Sequence, residues 1–219
     1  MNIKRLFDIT ASFTVLVILS PLLLPIIFLL KLTGEREVFY FQERVGKDGQ
    51  YISVFKFATM LKNSENMGSG IYTSKNDERV LPLGRFLRKT KINELPQILN
   101  VLKGDMSVVG PRPLIKRTFD LYSEEVKSEI LTLKPGLTGI GSIIFRDEES
   151  ILAKSDIPLE EFYKRNISPY KGKLEIWYKN NQSFSVDIIM IFLTIWIIIF
   201  PSINITNFFL KGLPKSKDI

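Results

Sequence analysis

The sequence predicts an α+β fold that is mostly helical and has a membrane-associated segment near its start. Three observations lead to this expectation. An uncharged apolar run covers Ile9–Leu30, aromatic and β-branched segments flank a turn-like Gly46–Gly49, and the remaining apolar residues recur mainly with helical spacing. The 219 residues suit one domain with an anchor, and an apolar content of 45% excludes disorder as the main state.

The chain contains neither cysteine nor histidine. This excludes disulfides, zinc sites built on those residues, and catalytic triads or dyads that need histidine or cysteine. A metal would be held by oxygen ligands, which Mg²⁺ and Mn²⁺ prefer, and proton transfer would fall to carboxylates, Lys or Tyr. The net charge of +7 leaves nucleic acid, anionic lipid and phosphorylated small molecules open as partners.

The apolar run Ile9–Leu30 is just long enough to cross a hydrocarbon core of about 30 Å. Ser20-Pro21 lies at its middle and Pro25 follows closely. Each proline removes a helix hydrogen bond, which costs about 3 kcal/mol in an ordinary helix interior. We expect the Ser20 hydroxyl to satisfy a carbonyl that the proline leaves free.

Basic residues flank this run on both sides, with Lys4 and Arg5 before it and Lys31 and Arg36 after it. Positive charge favours the cytoplasmic face of a membrane. Such flanks suit a re-entrant helix, which enters the bilayer, breaks at the serine–proline pair and leaves on the same side. A spanning helix with a proline kink is the alternative that the residues leave open.

The middle of the chain predicts a soluble domain. Its predicted segments, in chain order, are a β-hairpin from Val38–Phe41 and Tyr51–Phe57, a polar loop at Asn63–Asp77, and helices at Leu83–Leu102, Leu114–Leu133 and Glu148–Tyr163. The first of these helices is interrupted at Asn93–Pro96, and Gly104 is expected to cap its end. The predicted domains are residues 1–33, 34–186 and 187–219.

A second apolar block, Ile188–Phe200, is too short to span a membrane. Trp196 and the later Phe208–Lys211 suit a helix that lies in the membrane interface, with its rings and lysines at the level of the headgroups. A buried core helix is the alternative interpretation of this segment.

Asn93 and Glu94 are expected at the start of a helix, with Asn93 as the N-cap. Several cations precede them in the segment Arg85–Lys91, so positive charge and a carboxylate are packed together. Magnesium–diphosphate chemistry needs this combination, because oxygen ligands hold the metal and guanidinium groups hold phosphate. The alternative is a solvated basic helix face beside a capped helix.

Arg112 lies between Pro111 and Pro113. The two prolines restrict the backbone on both sides, which suits presenting a guanidinium group to an anion with little loss of entropy. A turn with an exposed arginine is the alternative.

Short motifs follow one another in order along nearly the whole chain. They include Lys4–Asp8, Ser20-Pro21, Phe41–Gly46, Phe55–Phe57, Asp77–Val80, Gly84–Thr90, Leu99–Ser107, Gly110–Pro113, Lys134–Gly139 and Asn181–Asp187. As an ordered set they resemble the bacterial sugar transferases, the monotopic polyprenyl-phosphate phosphoglycosyl transferases.

This resemblance implies the transfer of a sugar 1-phosphate from a nucleotide diphosphate sugar, usually a UDP-sugar, to a polyprenyl phosphate such as undecaprenyl phosphate. UMP leaves, and assembly of a bacterial exopolysaccharide, capsule or lipopolysaccharide begins. The resemblance also implies Mg²⁺, with Mn²⁺ as an alternative, and a re-entrant helix in the lipids of the bacterial inner membrane. The bulk of the protein then lies on the cytoplasmic face. No nucleic acid partner is expected, and a homodimer is left open.

The resemblance also assigns roles to individual residues. Asn93 and Glu94 are the catalytic positions, and they also hold the metal. Arg88, Arg112 and Arg146 bind substrate phosphate, with Asp105, Pro111 and Pro113 in supporting roles. Ser20 and Pro21 form the helix break, and Lys4 and Arg5 anchor the helix at the membrane.

Asn93 and Glu175 are among the positions that depart from the family pattern. Asn93 stands where members carry the aspartate taken as the nucleophile, and an amide is a poor nucleophile. Three explanations stay open: a substitution that traps the covalent step, a branch in which polyprenyl phosphate attacks directly, and an inactive relative that acts as a scaffold. Glu175 stands where an aspartate is usual, which we interpret as a mild change.

Overall fold

A computed structural model of the protein describes residues 3–68, 70, 73, 76–152 and 156–215. Parts of the predicted loop Asn63–Asp77, of the predicted helix Glu148–Tyr163 and of the last predicted domain lie outside these residues. The mostly helical α+β architecture is confirmed.

Short helices dominate the secondary structure. The α-helices are α1 (Ile3–Leu32), α2 (Pro82–Lys89), α3 (Ile98–Lys103), α4 (Lys116–Phe119), α5 (Glu124–Ile130), α6 (Ile140–Ile144), α7 (Glu148–Leu152), α8 (Leu159–Phe162), α9 (Ser168–Asn181), α10 (Phe184–Ile199) and α11 (Thr206–Phe209). The strands are β1 (Phe39–Val45), β2 (Tyr51–Phe57), β3 (Ser107–Val109) and β4 (Gly136–Thr138). The 3₁₀ helices are Lys47–Gly49, Ser64–Asn66 and Ile92–Gln97, and a π-helix covers Tyr163–Ile167.

The chain divides into two compact units. The first comprises Met1–Glu43 and Ser53–Gly104, and the second comprises Arg44–Ile52 and Asp105–Ile219. The predicted hairpin is confirmed, because β1 and β2 form a two-stranded sheet joined through a 3₁₀ turn.

Helix α1 has the local chemistry that its serine–proline pair predicts. Pro21 and Pro25 both lie inside the helix, which is assigned without interruption over 30 residues. Because Pro21 has no N–H, the carbonyl of Val17 loses its helical partner. The Ser20 hydroxyl donates to this carbonyl at 2.8 Å, as predicted. The re-entrant path of the helix stays a prediction.

Helix α1 buries only a narrow set of its apolar side chains. Leu23, Ile26 and Leu30, which we call the anchoring stripe, pack with Phe57 and Leu87 in the core of the first unit. Most other apolar residues of α1 are exposed, among them Phe13, Val17, Ile18, Leu24 and Phe28. Among the described residues, α1 is the single helix with the length and apolar composition to cross a membrane. An apolar surface of this extent indicates contact with lipid or with another protein.

Polar contacts fix α3 within the first unit. The Asn100 side chain donates to the carbonyl of Ser53 at 2.7 Å and accepts from the N–H of Phe55 at 3.0 Å, so it pairs with the backbone of β2. The Arg5 guanidinium donates to the carbonyls of Val101 and Leu102 at 2.5 and 2.7 Å. These carbonyls lie at the C-terminal end of α3, where helical partners are lacking. Gly104 then ends the helix with φ of 100°, which confirms the predicted cap.

The second unit contains a short parallel strand pair that the sequence did not predict. Strands β3 and β4 pair with Ser107 opposite Gly136 and Val109 opposite Thr138. The backbones approach closely around Gly110: a Cβ at Gly136 would lie 2.1 Å from the nitrogen of Gly110, and one at Gly139 would lie 2.1 Å from its oxygen. Both contacts are with main-chain atoms, so glycine is required at these positions.

The predicted helix Leu114–Leu133 is wrong, because two shorter helices, α4 and α5, occupy this segment. Ser123 adopts an extended conformation with ψ of 156°, and its hydroxyl accepts from the N–H of Val126. An N-cap of this kind starts a new helix, although the apolar spacing continues across it.

The apolar block near the C-terminus forms α10, which begins slightly earlier than predicted. Met190 and Leu193 are fully buried in the second unit, whereas Phe192, Ile195 and Ile199 are exposed. The helix therefore has one buried face and one exposed apolar face. This pattern fits an interfacial helix, whose contact with a membrane stays a prediction.

We predict that Gly136→Ala strongly destabilises the second unit. The added methyl group would meet main-chain atoms that have no room to move, so we expect a loss of about 3 kcal/mol or more. Gly49→Ala is the matched control, because no atom lies within 4 Å of its added Cβ and only a positive φ of 75° opposes it. That backbone strain costs about 1–2 kcal/mol. Thermal unfolding in detergent, followed by tryptophan fluorescence, tests this, and equal Tm shifts in the two variants would contradict it.

Candidate active site

Asn93 and Glu94 lie within the 3₁₀ helix Ile92–Gln97 of the first unit. The apolar residues on either side of them, Ile92 and Leu95, pack against the core cluster that contains the anchoring stripe of α1. The position of the Asn93–Glu94 pair is therefore tied to the long apolar helix.

Asn93 is not the N-cap that the sequence predicted. Lys91 occupies that position with a left-handed φ of 60°, and no side chain caps the helix there. The Asn93 side chain is instead buried, and its Oδ1 atom has no hydrogen-bond partner among the described residues. A buried oxygen in this state costs about 1–3 kcal/mol, which a cation or a donor group of a ligand would offset.

Arg88 lies close in the chain to this pair, in the last turn of α2. Helix α2 packs against the 3₁₀ helix, and the neighbouring Leu87 is fully buried. The half-buried Arg88 places its Nη1 atom 3.8 Å from the sulfur of Met60. The first unit thus holds Arg88, Asn93 and Glu94 on two elements that pack together.

Arg112 lies in a rigid turn of the second unit, Gly110–Leu114, which we call the Arg112 turn. Pro111 and Pro113 are buried, and Arg112 is half-buried. Each of the five residues makes a main-chain hydrogen bond: the N–H of Gly110 to Thr138, the carbonyl of Pro111 to Gly136, the N–H of Arg112 to Glu175, the carbonyl of Pro113 to Arg44 and the carbonyl of Leu114 to Val45. The turn therefore has little freedom to move the Arg112 backbone.

Glu175 of α9 holds the centre of this turn, since its carboxylate accepts the backbone N–H of Arg112. Its side chain is 3% exposed. Burial raises the pKa of Glu175 to about 8, and the positive charges of Lys171 and Arg112 oppose this shift only in part. A Cβ added at Gly141 would lie 2.5 Å from Oε1, so α6 closes over the carboxyl group.

Other ionisable groups surround Glu175. The buried Lys171 ammonium donates to Glu148 at 2.5 Å and to the Tyr163 hydroxyl at 3.2 Å. Burial alone would lower the pKa of Lys171, but Glu148 and Tyr163 raise it above its ordinary value. Burial also raises the pKa of Tyr122 and of Tyr178, both of which interact with Glu175. The surroundings of Glu175 therefore include one cation that is already paired with another carboxylate.

The remaining predicted residues lie elsewhere in their units. Asp105 is half-buried just before β3, and the Arg146 guanidinium donates to the carbonyl of Ile197 in α10. Arg5 caps α3, as described above. Sequence reasoning treated Glu175 as a minor variation and missed Lys171. The sequence offers little signal for either residue, because α9 also carries Lys173 and Lys179.

Among the described residues, no group of three or more acidic side chains is arranged to hold a metal ion. Magnesium is commonly bound through one or two carboxylates together with substrate phosphates and water. The Glu94 carboxylate and the buried Oδ1 atom of Asn93, which are neighbours in the chain, are oxygen donors of this type. Magnesium at this position stays a prediction.

Residues 1–201 match the family model for bacterial sugar transferases. A UDP-glucose:undecaprenyl-phosphate glucose-1-phosphate transferase of Klebsiella pneumoniae is 38% identical over 199 residues, which cover 90% of this chain and 40% of that protein. The sugar transferase EpsL of Bacillus subtilis is 36% identical over 195 residues, which cover 89% of this chain and 86% of EpsL. The exopolysaccharide production protein ExoY of Rhizobium meliloti is 33% identical over 206 residues, covering 88% and 83%. The chain thus spans less than half of the Klebsiella relative.

We predict that Glu175→Gln changes how stability depends on pH. With a folded pKa of about 8 against an ordinary 4.5, the folded wild type keeps a proton that the unfolded chain releases, so its stability falls as pH rises between these values. Glutamine does not titrate, so the variant lacks this pH-dependent contribution to the free energy of unfolding. The Tm of the variant minus that of the wild type should therefore increase from pH 5 to pH 8 in thermal melts. A constant difference would contradict the raised pKa.

Proposed function

Because the chain belongs to the bacterial sugar transferase family, we propose that it transfers a sugar 1-phosphate from a UDP-sugar to a polyprenyl phosphate such as undecaprenyl phosphate. The observation that carries this proposal is the family match over residues 1–201, which includes Arg88, Glu94 and Arg112. The Klebsiella relative is named for this reaction with UDP-glucose and undecaprenyl phosphate. ExoY is named for exopolysaccharide production, which supports an exopolysaccharide as the product of the pathway. We propose that the reaction is a first membrane step in bacterial glycan assembly, with a capsule or a lipopolysaccharide as the other possible products.

The side chains suit the charge of these substrates. Arg112, on its fixed turn, neutralises a substrate phosphate, and the planar guanidinium group matches phosphate oxygens in pairs. Arg88 has the same role on α2. Glu94 holds Mg²⁺, with Mn²⁺ as an alternative, and the ion when bound neutralises diphosphate charge.

Asn93 determines which reaction path is open. An amide does not form the covalent phosphosugar that an aspartate at this position would form. In direct transfer, an oxygen of polyprenyl phosphate attacks the phosphorus that bears the sugar. The bond from that phosphorus to the bridging oxygen breaks, and UMP leaves with that oxygen. This path balances without a carboxylate at position 93.

A second candidate function follows from the same residue. A relative that lacks the nucleophile would serve as a membrane-associated scaffold in the pathway without catalysing transfer. The buried Asn93 amide is the observation that favours this alternative.

The apolar surfaces support a membrane location. Helix α1 exposes most of its apolar side chains, and α10 exposes one apolar face. We propose that α1, which stays helical through Ser20-Pro21, enters the inner membrane as a re-entrant helix that turns at this pair, that α10 and α11 lie in the interface, and that the bulk of the protein is cytoplasmic. Lys4 lies near the headgroups in this arrangement, whereas Arg5 is engaged at the end of α3.

We predict that the wild type and Asn93→Asp both release UMP from at least one UDP-sugar in the presence of undecaprenyl phosphate and Mg²⁺. Direct transfer requires no carboxylate at position 93, so the wild type should be active. The measurement is UMP release over a panel of UDP-sugars. Arg112→Ala is the control for phosphate binding and should raise KM.

The possible results of this assay separate the candidates. Activity in Asn93→Asp alone would reject direct transfer and indicate a covalent path that the asparagine disables. If neither protein releases UMP from any UDP-sugar, the result would reject the enzyme and favour the scaffold. Release that persists with EDTA would reject the role of the metal.

We predict that single cysteines introduced at Asn2 and at Glu35 are both protected from a membrane-impermeant thiol reagent added outside intact cells. Both ends of a re-entrant helix lie on the cytoplasmic side, and the chain has no cysteine of its own to interfere. Both positions should react after the cells are permeabilised. Labelling of only one position from outside would show a spanning helix.

A further inference from the structure

We propose that Glu175 is a positioning residue for the transfer reaction: its buried carboxyl group holds the Arg112 backbone, and thereby fixes where the guanidinium group meets a substrate phosphate. This inference rests on the proposed function, because Arg112 is assigned to phosphate there. Glu175 itself touches no reacting atom in this proposal.

The first argument is the place of Glu175 in the Arg112 turn. The backbone N–H of Arg112 donates to a side-chain carboxylate, whereas the N–H of Gly110 donates to the main-chain carbonyl of Thr138 in β4. The backbone of the central residue of the turn is therefore held by a side chain of α9. Loss of that acceptor would remove a hydrogen bond from the residue that presents the guanidinium.

The second argument is that Glu175 is not needed for an ion pair. Lys171, the cation of the same helix that interacts with Glu175, donates to Glu148 and to Tyr163. The Oε2 atom of Glu175 is buried and has no hydrogen-bond partner among the described residues. A buried acid that is costly and incompletely satisfied is unusual unless it has a specific task. The contact with the Arg112 N–H is such a task.

The third argument is steric. Gly141 in α6 lies against the carboxyl group, and a Cβ at this residue would come within 2.5 Å of Oε1. The side chain is thus confined between α6 and the Arg112 turn and has no room to turn away. A shorter acid would withdraw the acceptor from the turn, whereas an amide of equal length would keep an acceptor oxygen in place.

The kinetic expectation follows from the role of Arg112. If Arg112 binds phosphate equally in the ground state and in the transition state, its displacement raises KM and leaves kcat almost unchanged. We expect Glu175→Leu to raise KM for the UDP-sugar by about 3- to 10-fold, the range for one lost hydrogen bond of a neutral acceptor. Glu175→Gln should stay within about threefold of the wild type, since a buried amide oxygen remains an acceptor.

The experiment uses the full chain in detergent and combines two measurements. Steady-state UMP release gives KM and kcat, and hydrogen–deuterium exchange gives the protection of the peptide that contains Arg112. Glu129→Leu is the control, because Glu129 of α5 also contacts α9, but through an ion pair with Lys179. Protection at Arg112 should fall in Glu175→Leu and be retained in Glu175→Gln and in Glu129→Leu.

The results separate this inference from the proposed function. Wild-type protection at Arg112 in Glu175→Leu would overturn the inference, as would a fall in kcat with unchanged KM, which indicates loss of folded enzyme. If the wild type releases no UMP, the proposed function fails, and faster exchange at Arg112 would still show that Glu175 holds the turn. If Glu175→Leu does not fold, Glu175→Asp decides: faster exchange and a raised KM support the inference, and wild-type values overturn it.

Discussion

The close approach between the backbone at Gly110 and the segment that contains Gly136 and Gly139 is the constraint on which the second unit depends. Gly136 and Gly139 bring β4 and the start of α6 within reach of Gly110 with no side chain between them. The hydrogen bonds that hold Gly110 and Pro111 exist only because of this approach. Arg112 follows Pro111 directly, so its backbone conformation depends on Gly136 and Gly139, which lie far from it in the chain. Glu175 of α9 contacts the same backbone through the N–H of Arg112.

In the first unit, packing of apolar side chains fixes the position of Asn93 and Glu94. Their apolar neighbours, Ile92 and Leu95, pack against the core cluster that contains the anchoring stripe of α1. The helix that we propose to enter the membrane thus also positions Asn93 and Glu94. Its two contacts lie on separate faces, because the buried stripe is narrow and most of its other apolar side chains are exposed. Movement of α1 along its axis would displace the Asn93–Glu94 pair.

Local chemistry made part of this structure predictable. Ser20 and Gly104 act on groups within a few residues of themselves, so their roles follow from the sequence. The restart of the helix at Ser123 was missed because apolar spacing continues through it, and Asn93 was misplaced because Lys91 adopts a left-handed conformation. The β3–β4 pair joins two strands of three residues each, which are too short for any periodicity to appear. The role of Glu175 depends on contacts with distant segments that no local pattern encodes.

The position of Asn93 can be understood from burial and charge together. A carboxylate buried as deeply as the Asn93 side chain, 6% exposed, would need a cation or several donors to remain ionised. An amide avoids that desolvation penalty and leaves only a neutral oxygen without a partner. Asparagine at this position therefore makes the empty state of the site easier to form and removes the nucleophile at the same time.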